Sequence, residues 1–149
     1  MNRECRQLLE EYPIRISVPL LWGDEDAFGH VNNIIYLRWA ETVRVKYLMR
    51  VGLWQWKRSD RIGPILASIT CNFRRPLNYP DTIYAGARVV SIGNTSFRME
   101  HRIVSATQKV LTADLDSTLV VFDYAAGKKA RVPDEIRGAI QKLEGKKFP

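Results

Sequence analysis

From Asn33 onward, apolar residues recur at helical spacing: Tyr36, Leu37, Ala40, Val43, Tyr47, Leu48 and Val51 form one stripe, and Gly52 stands where a C′ residue belongs. The pattern predicts a long helix from Asn33 to Val51. Asn32 or Asn33 is expected to cap it, because an Asn side chain accepts a hydrogen bond from the unpaired N–H groups of a first turn. Trp39, Val45 and Met49 lie off the stripe, so other structure is expected to wrap this helix. Upstream, Arg3 to Glu11 reads as a short amphipathic helix using Leu8 and Leu9, closed by Pro13. Ile14, Ile16 and Val18 then alternate with Arg15 and Ser17 as a half-buried strand, and Pro19 puts its later part at an edge or bulge. The run Trp22 to His30, rich in Gly and acid, is a loop.

Past a polar stretch through Asp60, four segments alternate with period two: Ile65–Phe73, Ile83–Ile92, Phe97–Ser105 and Val110–Phe122. The turn-like connections N-Y-P-D, I-G-N-T-S and S-A-T-Q are short, which favours antiparallel neighbours over long crossovers. Val132-Pro133-Asp134-Glu135 opens a last helix through about Leu143, with Pro near the first turn and acids at the positive end. No repeat, low-complexity tract or linker divides the chain, so residues 1–149 read as a single domain. Its class is α+β: one wrapped helix against a curved antiparallel sheet.

Composition narrows the setting. The chain has 149 residues, 46% apolar and 26% charged, enough to bury roughly 70% of its unfolded surface and unlike a disordered or collagen-like sequence. No stretch approaches the roughly 20 apolar residues of a membrane span, and the first residues lack a signal-peptide core, so a cytoplasmic protein is expected. Cys5 and Cys71 show no C-x-x-C pattern and are expected to be reduced thiols. The net charge of +7 favours an anionic partner, nucleic acid or a phosphorylated cofactor such as coenzyme A, unless it is plain solvated surface.

The absence of G-x-S-x-G, G-x-G-x-x-G and Walker-type runs removes support for hydrolase-elbow, dinucleotide and P-loop chemistry. His30 and His101 are the only histidines, so no metal site is expected. The loop before the long helix remains. There Asp24, Glu25 and Asp26 crowd together, and Gly29-His30-Val31-Asn32-Asn33 leads into the helix. A carboxylate beside a helix N-terminus sits next to unpaired donors that can stabilise an oxyanion, although a solvated acidic loop with an Asn cap has the same pattern.

The run V-P-L-L-W-G-D-E-D-A-F-G-H-V-N-N-I-I-Y-L-R-W-A-E-T-V-R, residues 18–44, resembles the hot-dog-fold acyl-CoA thioesterases of the 4-hydroxybenzoyl-CoA thioesterase type. Phe73-Arg74-Arg75-Pro76-Leu77 with Tyr79-Pro80-Asp81 is similar to that family's R-P-L-x-Y-G-D element. The resemblance implies a five-stranded antiparallel sheet wrapped around the long helix, working as a homodimer or tetramer with the site between subunits. It implies Asp26, rather than Asp24, as the catalytic carboxylate, acting as nucleophile or general base, with the backbone N–H of Asn33 polarising the thioester oxygen. His30 is a further candidate, to orient Asp26 or contact substrate. Coenzyme A would enter as part of the acyl-CoA substrate, with no separate cofactor and no metal. In place of the family's arginine-rich phosphate contact this chain has S-I-G-N-T-S, so Asn94 and Ser96 offer neutral contacts, and Arg74, Arg75, Lys57 and Arg58 are candidate substitutes.

Two other classes compete. A hot-dog enoyl-CoA hydratase-like lyase needs a D-x-N-P-x-H element, but here Asp26 and His30 lack the N-P between them. A basic nucleic-acid-binding module needs aromatics interleaved with basic residues, hinted at only by Trp54 to Arg58 and by Phe73-Arg74-Arg75, so no nucleic-acid partner is expected. Local readings apply to the remaining polar residues. Glu41 is placed for helix-surface pairing with Arg38 and Arg44, and His101 reads as a core residue among Phe97, Met99 and Ile103. Asp114 and Asp116 face solvent or a second subunit.

Overall fold

The computed structural model describes residues 1–54 and 61–149. In chain order the elements are α1 (Arg3–Leu8), β1 (Ile14–Pro19), a single 3-10 turn (Trp22–Asp24), α2 (Asn33–Val51), β2 (Ile62–Phe73), β3 (Thr82–Ile92), β4 (Ser96–Ser105), β5 (Leu111–Asp123), β6 (Lys128–Lys129) and α3 (Asp134–Glu144). Helix α2 occupies its predicted span. Asn32 is the cap, its Oδ1 accepting from Ile34 N at 3.0 Å, and Gly52 ends the helix in the left-handed region at φ 85°. Helix α1 is shorter than its periodicity suggests, because the chain already leaves helical geometry at Leu9.

The main strands form one antiparallel sheet in the order β1-β3-β4-β5-β2. Helix α2 lies against one face, where Tyr36, Ala40, Val43, Tyr47 and Leu48 meet inward residues of β3, β4 and β5 such as Ala85, Ala87, Phe97, Met99, Leu115 and Leu119. Along β5 the alternation is clean: Ala113, Leu115, Ser117, Leu119 and Val121 are buried, and the residues between them are half-buried on the other face.

One expected pairing is overturned. The N-Y-P-D segment does not join neighbours: β2 pairs β5 at the far edge and β3 pairs β4 and β1. Residues 74–81 cross the end of the sheet instead, docking on Thr112 of β5 through the N–H groups of Arg74 and Arg75, and on Ser105 at the end of β4 through the Asp81 carboxylate. Three strand spacings of about 4.8 Å need only about 14 Å. An extended segment of that length spans about 26 Å, so a short connection reaches across two strands with slack. Strand β2 also starts earlier than predicted, at Ile62, and a two-residue strand, β6, folds back on the end of β5.

The opposite face carries its own small core, in which Cys5, Leu9, Tyr12 and Val104 pack α1 onto the sheet. Gly86 permits this approach, because a Cβ there would lie 2.8 Å from Tyr12 Cβ. Around it run ion pairs that absorb several of the excess arginines: Arg88 with Glu100 at 2.7 Å, Arg98 with Asp116, and Arg74 with Asp114 at 2.6 Å. Asp114 and Asp116 are thus partnered on the sheet's outer face. Both cysteines are free thiols, Cys5 buried and Cys71 partly so.

Two polar side chains lie under α2. Arg44, expected at the helix surface, is buried, because its position on the helix faces β5 and β2. His101 is fully buried and pairs through Nε2 with Ser117 Oγ at 3.0 Å. Burial, reinforced by the Arg44 charge, pushes its pKa down to about 3. The unfolded chain protonates this imidazole near pH 6.5 while the fold holds it neutral, so unfolding takes up a proton and stability falls as pH drops below about 6.5. Between about pH 6.5 and 4.5, above the carboxylate range, urea midpoints should decline in the wild type and stay nearly flat in His101→Gln. An equal decline in the variant would remove His101 from that role.

Candidate active site

The loop between β1 and α2 is pinned by its own polar groups. Asp24 receives Leu21 N on Oδ2 at 2.8 Å and Asn32 N on its carbonyl at 2.9 Å, closing both ends of the loop. Within it Asp26 makes a tight turn, its N–H donating to His30 O and its carbonyl accepting from Gly29 N, each at 3.0 Å. Gly29 sits at φ 81°, a conformation that favours glycine. The exposed Asp26 carboxylate accepts from Phe28 N at 2.9 Å and from Asn32 Nδ2 at 3.4 Å. Asn32 therefore acts twice: its oxygen caps α2 and its nitrogen holds Asp26.

The crossover 74–81 clamps this loop from beside it. Val31 N donates to Leu77 O at 2.9 Å, Asn78 Nδ2 donates to Gly29 O at 2.5 Å, and Tyr79 N donates to Glu25 Oε1 at 2.6 Å. Glu25 and Asn78 carried no signal of their own in the sequence, since their partners are backbone groups distant along the chain.

A cavity of about 300 Å³ opens at the start of α2, lined by His30, Val31, Asn33, Tyr36, Phe73, Arg74, Arg75 and Pro76. The Asn33 N–H, the first of the helix, has no acceptor among the described residues, whereas the next N–H is taken by the Asn32 cap. The helix dipole adds to the positive potential at that point. Tyr36 forms the floor, edge-on to Phe73 at 5.2 Å and with its hydroxyl donating to Arg75 O at 3.4 Å. Burial pushes this phenol up to about 12, so it stays protonated.

The structure brings some of the sequence candidates together and separates others. His30 and Asn33 share the cavity wall, and Asp26 stands on the loop next to it, tied to α2 through Asn32. The Asp26 carboxylate accepts from Asn32 Nδ2 and Phe28 N, and His30 is among the residues that line the cavity. Arg74 and Arg75 both line the cavity, but Arg74 is committed to Asp114, whose carboxyl it holds below the usual carboxylate range. The Arg75 guanidinium is without a partner among the described residues. Asn94 sits in the β3–β4 turn and Ser96 opens β4, at the end of β3 remote from the 74–81 crossover, so one chain does not bring them to this cavity. Lys57 and Arg58, with Trp56, lie outside the described residues. The other basic-aromatic hint is engaged: Phe73 meets Tyr36 edge to face and Arg74 binds Asp114. Among the described residues no three His, Cys, Asp or Glu side chains converge as metal ligands, and no helix is long and apolar enough to cross a membrane.

Known proteins match the same frame. The chain is 25% identical over 118 residues to the Escherichia coli long-chain acyl-CoA thioesterase FadM, covering 79% of this chain and 89% of that protein. It is 30% identical over 137 residues to Protein THEM6 of Danio rerio, covering 87% of this chain and 67% of that protein. Among solved structures, a thioesterase from Thermus thermophilus complexed with coenzyme A and Zn superposes with a TM-score of 0.82 at 30% identity, over 93% of this chain and 99% of that one. The fold is the hot-dog fold, an antiparallel sheet curled around a long helix. Residues 20–140, from the end of β1 into α3, match the model of the thioesterase-like superfamily, and the chain belongs to that family.

Proposed function

We infer that this chain hydrolyses an acyl-CoA thioester to a free acid and coenzyme A, in the manner of the 4-hydroxybenzoyl-CoA thioesterase type. The observation that carries the reading is the coupling of the Asp26 carboxylate to the open end of α2 through one side chain, Asn32. A thioester carbonyl seated at the Asn33 N–H would have its developing oxyanion stabilised by that donor and by the helix dipole. Asp26 either takes the proton of an attacking water or attacks the carbonyl carbon itself, and in both routes the tetrahedral centre collapses by expelling the coenzyme A thiolate; in the second route the acyl group is left on Asp26 as a mixed anhydride, which water then cleaves to release the acid and restore the carboxylate. Thiolate is a good leaving group, so the chemistry asks for no metal and no cofactor beyond the coenzyme A of the substrate. His30 contributes to the cavity wall that meets the substrate.

An assay across acyl-CoA chain lengths and benzoyl derivatives, following thiol release, tests this reading. Asp26→Asn should lower kcat by about a hundredfold or more, with a much smaller loss for Asp24→Asn. A large loss in Asp24→Asn beside an active Asp26→Asn would overturn the assignment.

We further propose that the working unit is at least a homodimer, placed in the cytoplasm, that joins two sheets along their β2 edges. Among the described residues strand β2 pairs with β5 alone, and its sequence I-G-P-I-L-A-S-I-T-C-N-F carries no charge along the other edge. Trp22 and Phe28, 80% and 89% exposed on the Asp26 loop, also call for cover. Antiparallel joining of two sheets would bring Asn94 and Ser96 of one subunit toward the other's site, where Arg75 is free to meet coenzyme A phosphates. Sedimentation velocity at assay concentration should show a dimer or tetramer. A fully active monomer would contradict the composite site.

A further inference from the structure

Helix α2 and strand β2 enclose a second cavity of about 330 Å³, walled by Glu41, Arg44, Leu48, Trp54, Leu66 and Leu119. It lies on the same α2–β2 seam as the first. Phe73, at the end of β2, lines the first cavity, and Leu66, near the start of β2, lines the second. Between them the seam is apolar, with Leu37, Ile69 and Cys71 half-buried against the core. From Asn33 to Arg44 the helix advances about 16 Å, a distance that an extended acyl chain of medium length covers.

The second cavity has one polar anomaly. The Arg44 side chain is only 8% exposed; among the described residues its Nη1 has no hydrogen-bond partner, and its sole countercharge is Glu41 at 3.9 Å from Nη2, beyond hydrogen-bond reach. His101, buried nearby in the same layer, also leaves Nδ1 unpartnered. A buried guanidinium with an idle donor is costly, and an apolar residue of similar size would be cheaper unless something accepts that hydrogen bond. Glu41 already supplies the negative charge on this wall, so a neutral oxygen suits the idle donor better than a second carboxylate, which Glu41 would repel.

We propose that this cavity receives the distal end of the acyl group and that Arg44 selects chains ending in a neutral oxygen, an ω-hydroxyl foremost. The proposal rests on the thioesterase reading and adds the substrate class to it. The acyl chain runs from the Asn33 N–H along the α2–β2 seam, and its terminal hydroxyl accepts from Arg44.

Steady-state hydrolysis of dodecanoyl-CoA, ω-hydroxydodecanoyl-CoA and the mono-CoA thioester of dodecanedioic acid provides the test. The wild type should favour the hydroxy substrate by about tenfold or more in kcat/KM, mainly through KM, the scale of one hydrogen bond to a charged group. In Arg44→Met the ratio of hydroxy to plain substrate should fall to about one. Leu66→Trp, which narrows the cavity from β2 and leaves Arg44 in the sequence, should raise KM for both dodecanoyl substrates relative to butyryl-CoA. Circular dichroism of each variant separates misfolding from lost selectivity. No preference in the wild type, a preference for the dicarboxylic substrate, or a preference that survives Arg44→Met would overturn the proposal. Calorimetric titration with free ω-hydroxydodecanoic acid separates it from the parent reading. Arg44-dependent binding without hydrolysis of any thioester would remove the thioesterase reading and keep the cavity's ligand, and hydrolysis without selectivity would do the reverse.

Discussion

The arrangement of the site depends on Asn32. A helix N-terminus presents unpaired N–H groups, and a cap normally removes the most accessible of them. Here the cap oxygen takes Ile34 N and leaves Asn33 N–H open, while the same carboxamide donates to Asp26. The helix start, the open donor and the carboxylate are therefore set by one planar group, and their spacing does not depend on the flexibility of a long loop. Asp24, at the other end of the loop, fixes where that group stands by accepting from Asn32 N.

The rest of the fold holds that corner in place. Sheet and helix share one core, so α2 cannot shift along its axis without disturbing Tyr36, Val43 and Tyr47 against β3, β4 and β5. At its far end Tyr47 hydroxyl donates to Glu144 of α3 at 2.6 Å, and the same carboxylate oxygen accepts Val89 N at 2.7 Å beside the β3 bulge, which locks both helices to the sheet. At the near end the 74–81 crossover supplies Leu77 O, Asn78 and Tyr79 N to the Asp26 loop. The crossover that links the edge strand β2 to β3 is thus also the brace of the site.

Much of this was legible in the sequence, for identifiable reasons. Helix α2 shows one apolar stripe bounded by an Asn and a Gly, and its ends follow from those residues. Strand β5 and the first part of β4 alternate because one face is buried under α2, whereas Ala85 to Ala87 of β3 and Ile103 to Ser105 of β4 are buried in succession. The position of β2 was not legible: turn residues such as Asn78 and Pro80 report a change of direction, and nothing local reports which strand comes next in the sheet. At the site, acid and helix start could be placed together from their adjacency. The contacts that orient them could not, because Glu25 and Asn78 act on backbone groups remote in sequence. Arg44 was misplaced for a related reason. A lone Arg three residues from Glu41 carries a surface signature, and only the packed sheet shows that it points inward.

The central claim is that the open N–H at the start of α2 stabilises the charge formed on the thioester oxygen, and Asn33→Pro tests it most directly. Proline at the first helical position removes that N–H at no cost to the helix ladder, and Asn32 already holds the extended conformation a following proline requires, at φ −62° and ψ 142°. The variant should keep the wild-type circular dichroism and melting temperature while kcat falls by about a hundred- to a thousandfold, the scale of losing one oxyanion donor. A folded Asn33→Pro protein that hydrolyses acyl-CoA at the wild-type rate would contradict the account.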